Sequence, residues 1–276
     1  MDPQPSRGPG AQSDALTRRR LLQISGSLGL AATLGACADN TDSTSAPTAP
    51  STNATPAPLP QPAAVTALPQ EPAPATTMAS GQPMVQICRQ AWGAAPARPG
   101  GRPHTITRMT LHHSAVVLGE NRLAPSRLRQ HQRYHQHDHG WIDIAYHVGV
   151  DRNGNIYELR TPELAGDTAT NYDPAGHFLV LCEGDFDQEP VTDAQLTGAA
   201  TAFAWAAQQF HLASGTLGGH RDFADTSCPG ANLYAHLSSG DLHTRIDALV
   251  AAGPVDLQRL CGEEAATKVA GIEAGG

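Results

Sequence analysis

His220 and Cys228 stand eight positions apart on an irregular stretch, Gly219-His220-Arg221-Asp222-Phe223-Ala224-Asp225-Thr226-Ser227-Cys228-Pro229-Gly230. More than a hundred residues upstream, the pair His112-His113 closes an apolar run. Two imidazoles and one thiolate form a zinc ligand set that leaves one tetrahedral position open for water. A metal held that way lowers the pKa of its bound water and polarises a carbonyl, so the chemistry on offer is hydrolysis. Placement strengthens the reading. His112 ends a strand pattern, His220 follows a glycine pair and Cys228 precedes Pro229-Gly230. Strand ends and loops are where ligands from distant sequence converge. On residue types alone, the alternative is core or surface histidines and a buried thiol.

Other residues of chemical interest are open to two readings. His131, His135, His137 and His139 could form a second metal site, His131 and His135 being one helical turn apart. They also fit a solvated helix face, with His135 or His139 beside a substrate groove. Tyr146, on residue type alone, reads as a half-buried sheet aromatic. Trp92 and Trp141 could be sugar-stacking platforms, although Trp92-Gly93 reads better as packing at the domain edge.

These side chains need a scaffold, and the pattern around them predicts one. Ile106 to His112, Ile144 to Val150 and Phe178 to Glu183 read as strands, the last without polar alternation, as in a central strand. Asp151-Arg152-Asn153-Gly154-Asn155 is a turn whose Asn-Gly pair suits a tight hairpin, so Ile156 to Arg160 should pair back antiparallel. A helix is expected over Ala124 to His137, with Pro125 tolerated in its first turn. The longest helix opens at Thr192, where Thr192 and Gln195 make a capping box. Leu196, Ala199, Ala200, Phe203, Ala206, Ala207 and Phe210 give that helix one apolar face. A closing helix runs from about Asp241 to Ala252. Strands interleaved with helices predict an α/β fold: a single domain with a central mixed sheet covered by helices.

The chain of 276 residues is organised around that domain, expected over 84–262. Residues 1–37 read as an export signal: Thr17-Arg18-Arg19-Arg20-Leu21-Leu22 is a twin-arginine pattern, and the modest apolar stretch after it is too short and polar for a membrane span. It ends in Leu34-Gly35-Ala36-Cys37, similar to a lipobox whose cysteine is lipidated. Residues 38–83 are almost wholly Ala, Pro, Thr, Ser, Gln, Asn and Asp, a composition that cannot offset the entropy of ordering and reads as a tether. The tail at 263–276 reads as frayed. The net charge of −8 becomes more negative without the basic signal segment, which argues against a nucleic-acid partner. Cys88 and Cys261, near the two ends of the domain, could form a terminal staple, while Cys182 sits in an apolar run as a small hydrophobe.

Four blocks, in order, resemble the zinc-dependent N-acetylmuramoyl-L-alanine amidases of the type 2 family, which also contains the peptidoglycan recognition proteins. They are Arg89-Gln90-Ala91-Trp92-Gly93-Ala94, Thr110-Leu111-His112-His113-Ser114-Ala115, Gly140-Trp141-Ile142-Asp143-Ile144-Ala145-Tyr146-His147, and Gly219-His220-Arg221-Asp222 through Cys228-Pro229-Gly230. The resemblance implies that His112, His220 and Cys228 bind Zn2+ and that Tyr146 helps activate or orient the metal-bound water. It places Thr226 where the recognition branch keeps a threonine and some phage enzymes a lysine. It assigns His113 to the neighbouring shell and puts Asn171 toward the muropeptide, while His135 is expected at the substrate groove from the helix-face reading alone. Asp167 stands near the position where many relatives carry a histidine, a departure from the pattern. The implied activity is hydrolysis of the amide between N-acetylmuramic acid and L-alanine in peptidoglycan, by a domain exported and anchored to the membrane through Cys37. The implied rival is a peptidoglycan-binding receptor or scaffold with a vestigial zinc site, and a third reading is a zinc peptidase acting within the stem peptide.

Overall fold

The structure is a computed structural model that describes residues 84–276. The expected signal, Cys37 and the tether lie outside these residues. Seven strands form one mixed sheet: β1 (Met84–Ile87), β2 (Arg108–His113), β3 (Val148–Val150), β4 (Ile156–Glu158), β5 (His177–Cys182), β6 (Leu217–Gly219) and β7 (Leu257–Leu260). Their spatial order is β6-β2-β5-β3-β4-β1-β7. Among these seven strands only β3 and β4 pair antiparallel, with Val150 opposite Ile156 across the predicted turn. The central β5 is buried at all six positions, as its unbroken apolar run requires.

Helices cover both faces. On one side α2 (Asp193–Gln209) and α4 (Asp241–Ala252) pack with α3 (Ala231–Ser238) over a core that includes Met109, Leu111, Phe178, Val180 and Phe203. On the other side α1 (Ala124–His137) and α5 (Gly262–Glu273) cover Leu181, Tyr157, Ile87 and Trp92. The mixed-sheet α/β domain expected from the sequence is the architecture found.

Helix α2 shows how local sequence sets the packing. Thr192 caps it, its Oγ1 accepting from Gln195 N at 3.1 Å, a contact worth about 1 kcal/mol. The reciprocal half of the expected capping box does not form. Gln195 instead donates to the carbonyls of Val150 and Glu183, at 3.1 and 3.0 Å, and so ties the helix to two strand ends. Alanines 199, 200, 202, 204 and 206 are buried all around the helix, because α2 lies between the sheet and α4 rather than on a surface.

Two expectations are corrected. The segment 263–276 is not frayed: Gly262–Glu273 is helix α5, with Ala265, Val269 and Ile272 buried against the core. Trp92 is not at the domain edge: it is fully buried and its Nε1 donates to Glu158 O at 2.8 Å. The staple between Cys88 and Cys261 is present, with Cα atoms 5.0 Å apart. It ties the segment just after β1 to the N-terminus of α5.

Candidate metal centre

Strand β2 alternates its side chains between the two faces of the sheet. Met109 and Leu111 enter the core beneath α2, so Thr110 and His112 face the opposite side. Strand β6 runs parallel beside β2, with Leu111 opposite Gly219, and the chain turns from Gly219 into a short 3-10 turn at His220–Asp222. His220 therefore emerges at the carboxyl edge of the sheet next to His112, where open α/β sheets place their ligands. A side chain at Gly219 would crowd its neighbours, since a Cβ there would sit 3.0 Å from the Tyr234 ring and 3.1 Å from Pro229. The following loop folds back, Arg221 N donating to Cys228 O at 2.9 Å, and returns the thiol to the same place.

The result is a cluster of three potential ligands from two strand ends and a loop. One ligand atom from each of His112, His220 and Cys228 lies within 4.8 Å of the others, and all three residues are buried. Among the described residues this is the only such group of His, Cys and acidic side chains. His112 Nδ1 is 3.6 Å from Cys228 Sγ, and the His112 and His220 rings are 4.6 Å apart. His112 Nε2 is buried with no hydrogen-bond partner. Burial pushes His112 well below the ordinary imidazole value and His220 down to about 4. Both are neutral, the form in which imidazole binds a metal. Burial pushes the Cys228 thiol up to about 12. Burial outweighs the help of the His113 N–H and the Arg221 charge, so that thiol stays protonated, and a divalent ion would displace the proton. The donor set therefore fits zinc: three ligands, soft and borderline, without a buried counter-charge to clash.

His113 shows why the second of the paired histidines is not in the group. Its ring turns to the α2 side, 6.2 Å from Phe186, and its Nδ1 accepts from Phe186 N at 3.3 Å. Its backbone N–H donates to Cys228 Sγ at 3.4 Å, a bond that favours the thiolate.

The cluster forms the floor of a cavity of about 340 Å³, walled by Tyr146, His135, Trp141, Thr168, Thr170 and Thr226 among others. Tyr146 is half-buried, its ring 5.1 Å from His112. Burial, with the neighbouring Cys228, raises its pKa, so its hydroxyl keeps its proton and can only donate or accept, not act as a base. His135 lines the same wall. Its Nδ1 accepts from Ala145 N at 3.1 Å, and burial together with His131 and His139 holds it down to about 3. Thr226 Oγ1 accepts from Cys228 N at 3.2 Å, so it braces the thiol loop as well as lining the cavity. Asn171 does not join the group. It is exposed and lines an adjoining cavity of about 650 Å³, which shares Trp141, Asp167, Thr168 and Thr170 with the first. His131 does not pair with His135 in a metal site; it approaches Glu183 instead, at 3.3 Å.

Sequence reading missed Thr170, which stands beside His220, and Thr168 behind it, and it named no partner for Asp167. Asp167 is ion-paired with the buried Arg160 at 2.5 Å. Nothing in a run such as Asp-Thr-Ala-Thr announces these partners, which come from fifty residues away in the case of Thr170 and His220.

Comparison with known proteins places the chain in a family. Residues 102–231 match the family described as N-acetylmuramoyl-L-alanine amidase. Peptidoglycan-recognition protein SC2 of Drosophila simulans is 32% identical over 131 residues, covering 47% of this chain and 71% of the relative. An N-acetylmuramoyl-L-alanine amidase of Sus scrofa is 30% identical over 154 residues, 53% of this chain but 25% of that protein. Among solved structures, peptidoglycan recognition protein-LE in complex with tracheal cytotoxin aligns with a TM-score of 0.51 at 25% identity, over 56% of this chain and 92% of that one. The chain belongs to the type 2 amidase and peptidoglycan recognition protein family.

Proposed function

We propose that this chain is a zinc-dependent amidase that hydrolyses the bond between the lactyl group of N-acetylmuramic acid and L-alanine in peptidoglycan. The observation that carries the reading is the convergence of His112, His220 and Cys228, buried, at the floor of an open cleft. When bound there, zinc would supply an acidified water and a Lewis acid for the scissile carbonyl. The remaining work falls to the chain. Tyr146, protonated at neutral pH, donates a hydrogen bond to the oxygen on which negative charge develops. His135, neutral and buried at the wall, offers hydrogen bonding without adding charge. The adjoining cavity that holds Asn171 extends the cleft far enough to seat a peptide beyond the scissile bond.

Relatives include recognition proteins, so a receptor with the same groove is the competing reading. Cys228 favours the enzyme. A buried thiol beside two neutral imidazoles adds nothing to peptide binding, whereas it completes a hydrolytic ligand set. Zinc content measured together with muropeptide release separates the two. One zinc per chain and free stem peptides support the amidase; zinc without release supports the receptor. Cys228→Ser is expected to abolish release and lose most of the zinc, while leaving muropeptide binding within a few-fold of the parent.

We further propose that the domain acts outside the cytoplasm on a lipid anchor at Cys37, supported by the twin-arginine pattern and the Leu34-Gly35-Ala36-Cys37 block. Metabolic labelling with a fatty acid tests this: label lost in Cys37→Ala supports it, and an unlabelled parent chain refutes it.

A further inference from the structure

A file of hydroxyls runs from His220 into the cleft. Thr170 Oγ1 lies 2.7 Å from His220 Nε2, and Thr168 Oγ1 lies 2.7 Å from Thr170 Oγ1. The backbone N–H of Thr170 also donates to Thr168 Oγ1, at 3.0 Å, in a local hydroxyl-to-backbone turn that fixes the two side chains relative to each other.

The loop that presents them is itself anchored. Arg160 is 2% exposed and donates to the carbonyls of Ile144, Asp143 and Ala165 at 2.9, 3.0 and 2.6 Å. Its remaining reach is to Asp167 Oδ2, the residue immediately before Thr168. Asp167 thus serves as the peg by which a buried guanidinium holds the threonine loop against His220.

Counting donors and acceptors gives the file a direction. Each hydroxyl has one proton and two lone pairs, and a metal-binding imidazole is neutral with one N–H. If His220 Nε2 carries the proton, it donates to Thr170, Thr170 donates to Thr168, and Nδ1 is left unprotonated for a ligand bond. In the reverse order Thr170 would donate to Nε2, Nδ1 would carry the proton, and His220 would have no lone pair for a metal. Only the first order is compatible with His220 as a ligand.

We propose that Thr170, backed by Thr168 and by the Arg160–Asp167 pair, is a positioning residue that locks His220 in the Nε2-protonated tautomer and so prepares its Nδ1 for zinc. The inference rests on the zinc reading of His112, His220 and Cys228. A ligand histidine whose second nitrogen is held in this way binds its metal more tightly, and removing the partner typically costs about 10–100-fold in affinity.

The test uses the full chain, both metal-free and zinc-loaded, and reads the His220 ring nitrogens by long-range proton–nitrogen NMR. The lock predicts a protonated Nε2 and an Nδ1 without a proton in both states. Chelator competition then reads zinc affinity: Thr170→Val should weaken binding by about 10–100-fold with an unchanged melting temperature, and Thr170→Ser should restore it to within about threefold. A protonated Nδ1 in the metal-free chain, or parental zinc affinity in folded Thr170→Val, would overturn the proposal. If Thr170→Val does not fold, the tautomer in the parent chain still decides. If the parent binds no zinc, the proposed function fails, while the metal-free tautomer still reports on the lock.

Discussion

Tyr146 and His112 carry the argument at the scale of single residues. Their rings are 5.1 Å apart at the metal end of the cleft, and the phenol is held in its protonated form by burial. Tyr146→Phe removes one hydrogen-bond donor and little else. It is therefore expected to lower kcat by on the order of 10²–10³ while shifting KM only a few-fold. Steady-state kinetics on a soluble muropeptide would show this, and an unchanged kcat would remove Tyr146 from the mechanism. Residue type and placement made the His112-His113 pair, His220 and Cys228 legible as a possible ligand set, and the family resemblance singled out His112, His220 and Cys228 from thirteen histidines and five cysteines. Strand alternation separates His112 from His113, since the neighbouring Leu111 belongs to the opposite core. Thr168 and Thr170 were not legible. Threonine is common in loops, and its meaning here depends on a tertiary contact that brings position 170 to position 220.

At the scale of elements, the amphipathic helices announced themselves. The expected bounds of α1, Ala124–His137, and α4, Asp241–Ala252, agree with those found. Strands β1 and β7 gave no comparable signal. Each is four residues long, and the two pair in parallel across most of the domain's length, Met84 beside Leu257. Such pairing leaves no turn residue to read. Helix α5 was missed for a related reason: its small apolar face is buried only because β1, α1 and the Cys88–Cys261 bridge gather around it. The four sequence blocks also turn out to be physically joined. Arg89 of the first block forms a two-pronged contact with Asp143 of the third, at 2.6 and 3.1 Å, and Gln132 of α1 donates to the same carboxylate at 2.7 Å. This clamp fixes the segment that delivers Tyr146 to the site. Asp143→Ala leaves a mostly buried guanidinium unpaired, and urea unfolding should register a loss of about 3–5 kcal/mol. A loss below about 1 kcal/mol would show that the clamp is dispensable.

The described residues include several buried histidines held neutral, and this couples stability to pH. His147 is 2% exposed, with Nε2 on Leu164 O at 3.0 Å and Nδ1 accepting from Leu179 N at 3.0 Å, an arrangement that only the neutral ring can satisfy. Burial holds His147 and His135 each down to about 3, from an ordinary value of 6.5. Below the ordinary value the unfolded chain takes up protons that the folded chain refuses, so stability falls as pH falls toward the folded values and is insensitive to these groups above it. Each contributes a loss of about 2 kcal/mol by pH 5. Urea midpoints should therefore drop between about pH 7 and pH 5, where most carboxylates have not yet titrated, and an unchanged midpoint would contradict the burial of neutral rings. The same carboxyl edge of the sheet that gathers the ligands also opens the cleft, so fold and proposed chemistry share one origin. The most direct test of that chemistry is mass spectrometry of peptidoglycan digested by the zinc-loaded chain. The account predicts free peptides beginning at L-alanine and glycans whose muramic acids have lost their stems. Peptide fragments still joined to muramic acid, or no release by a chain that holds its zinc, would contradict it.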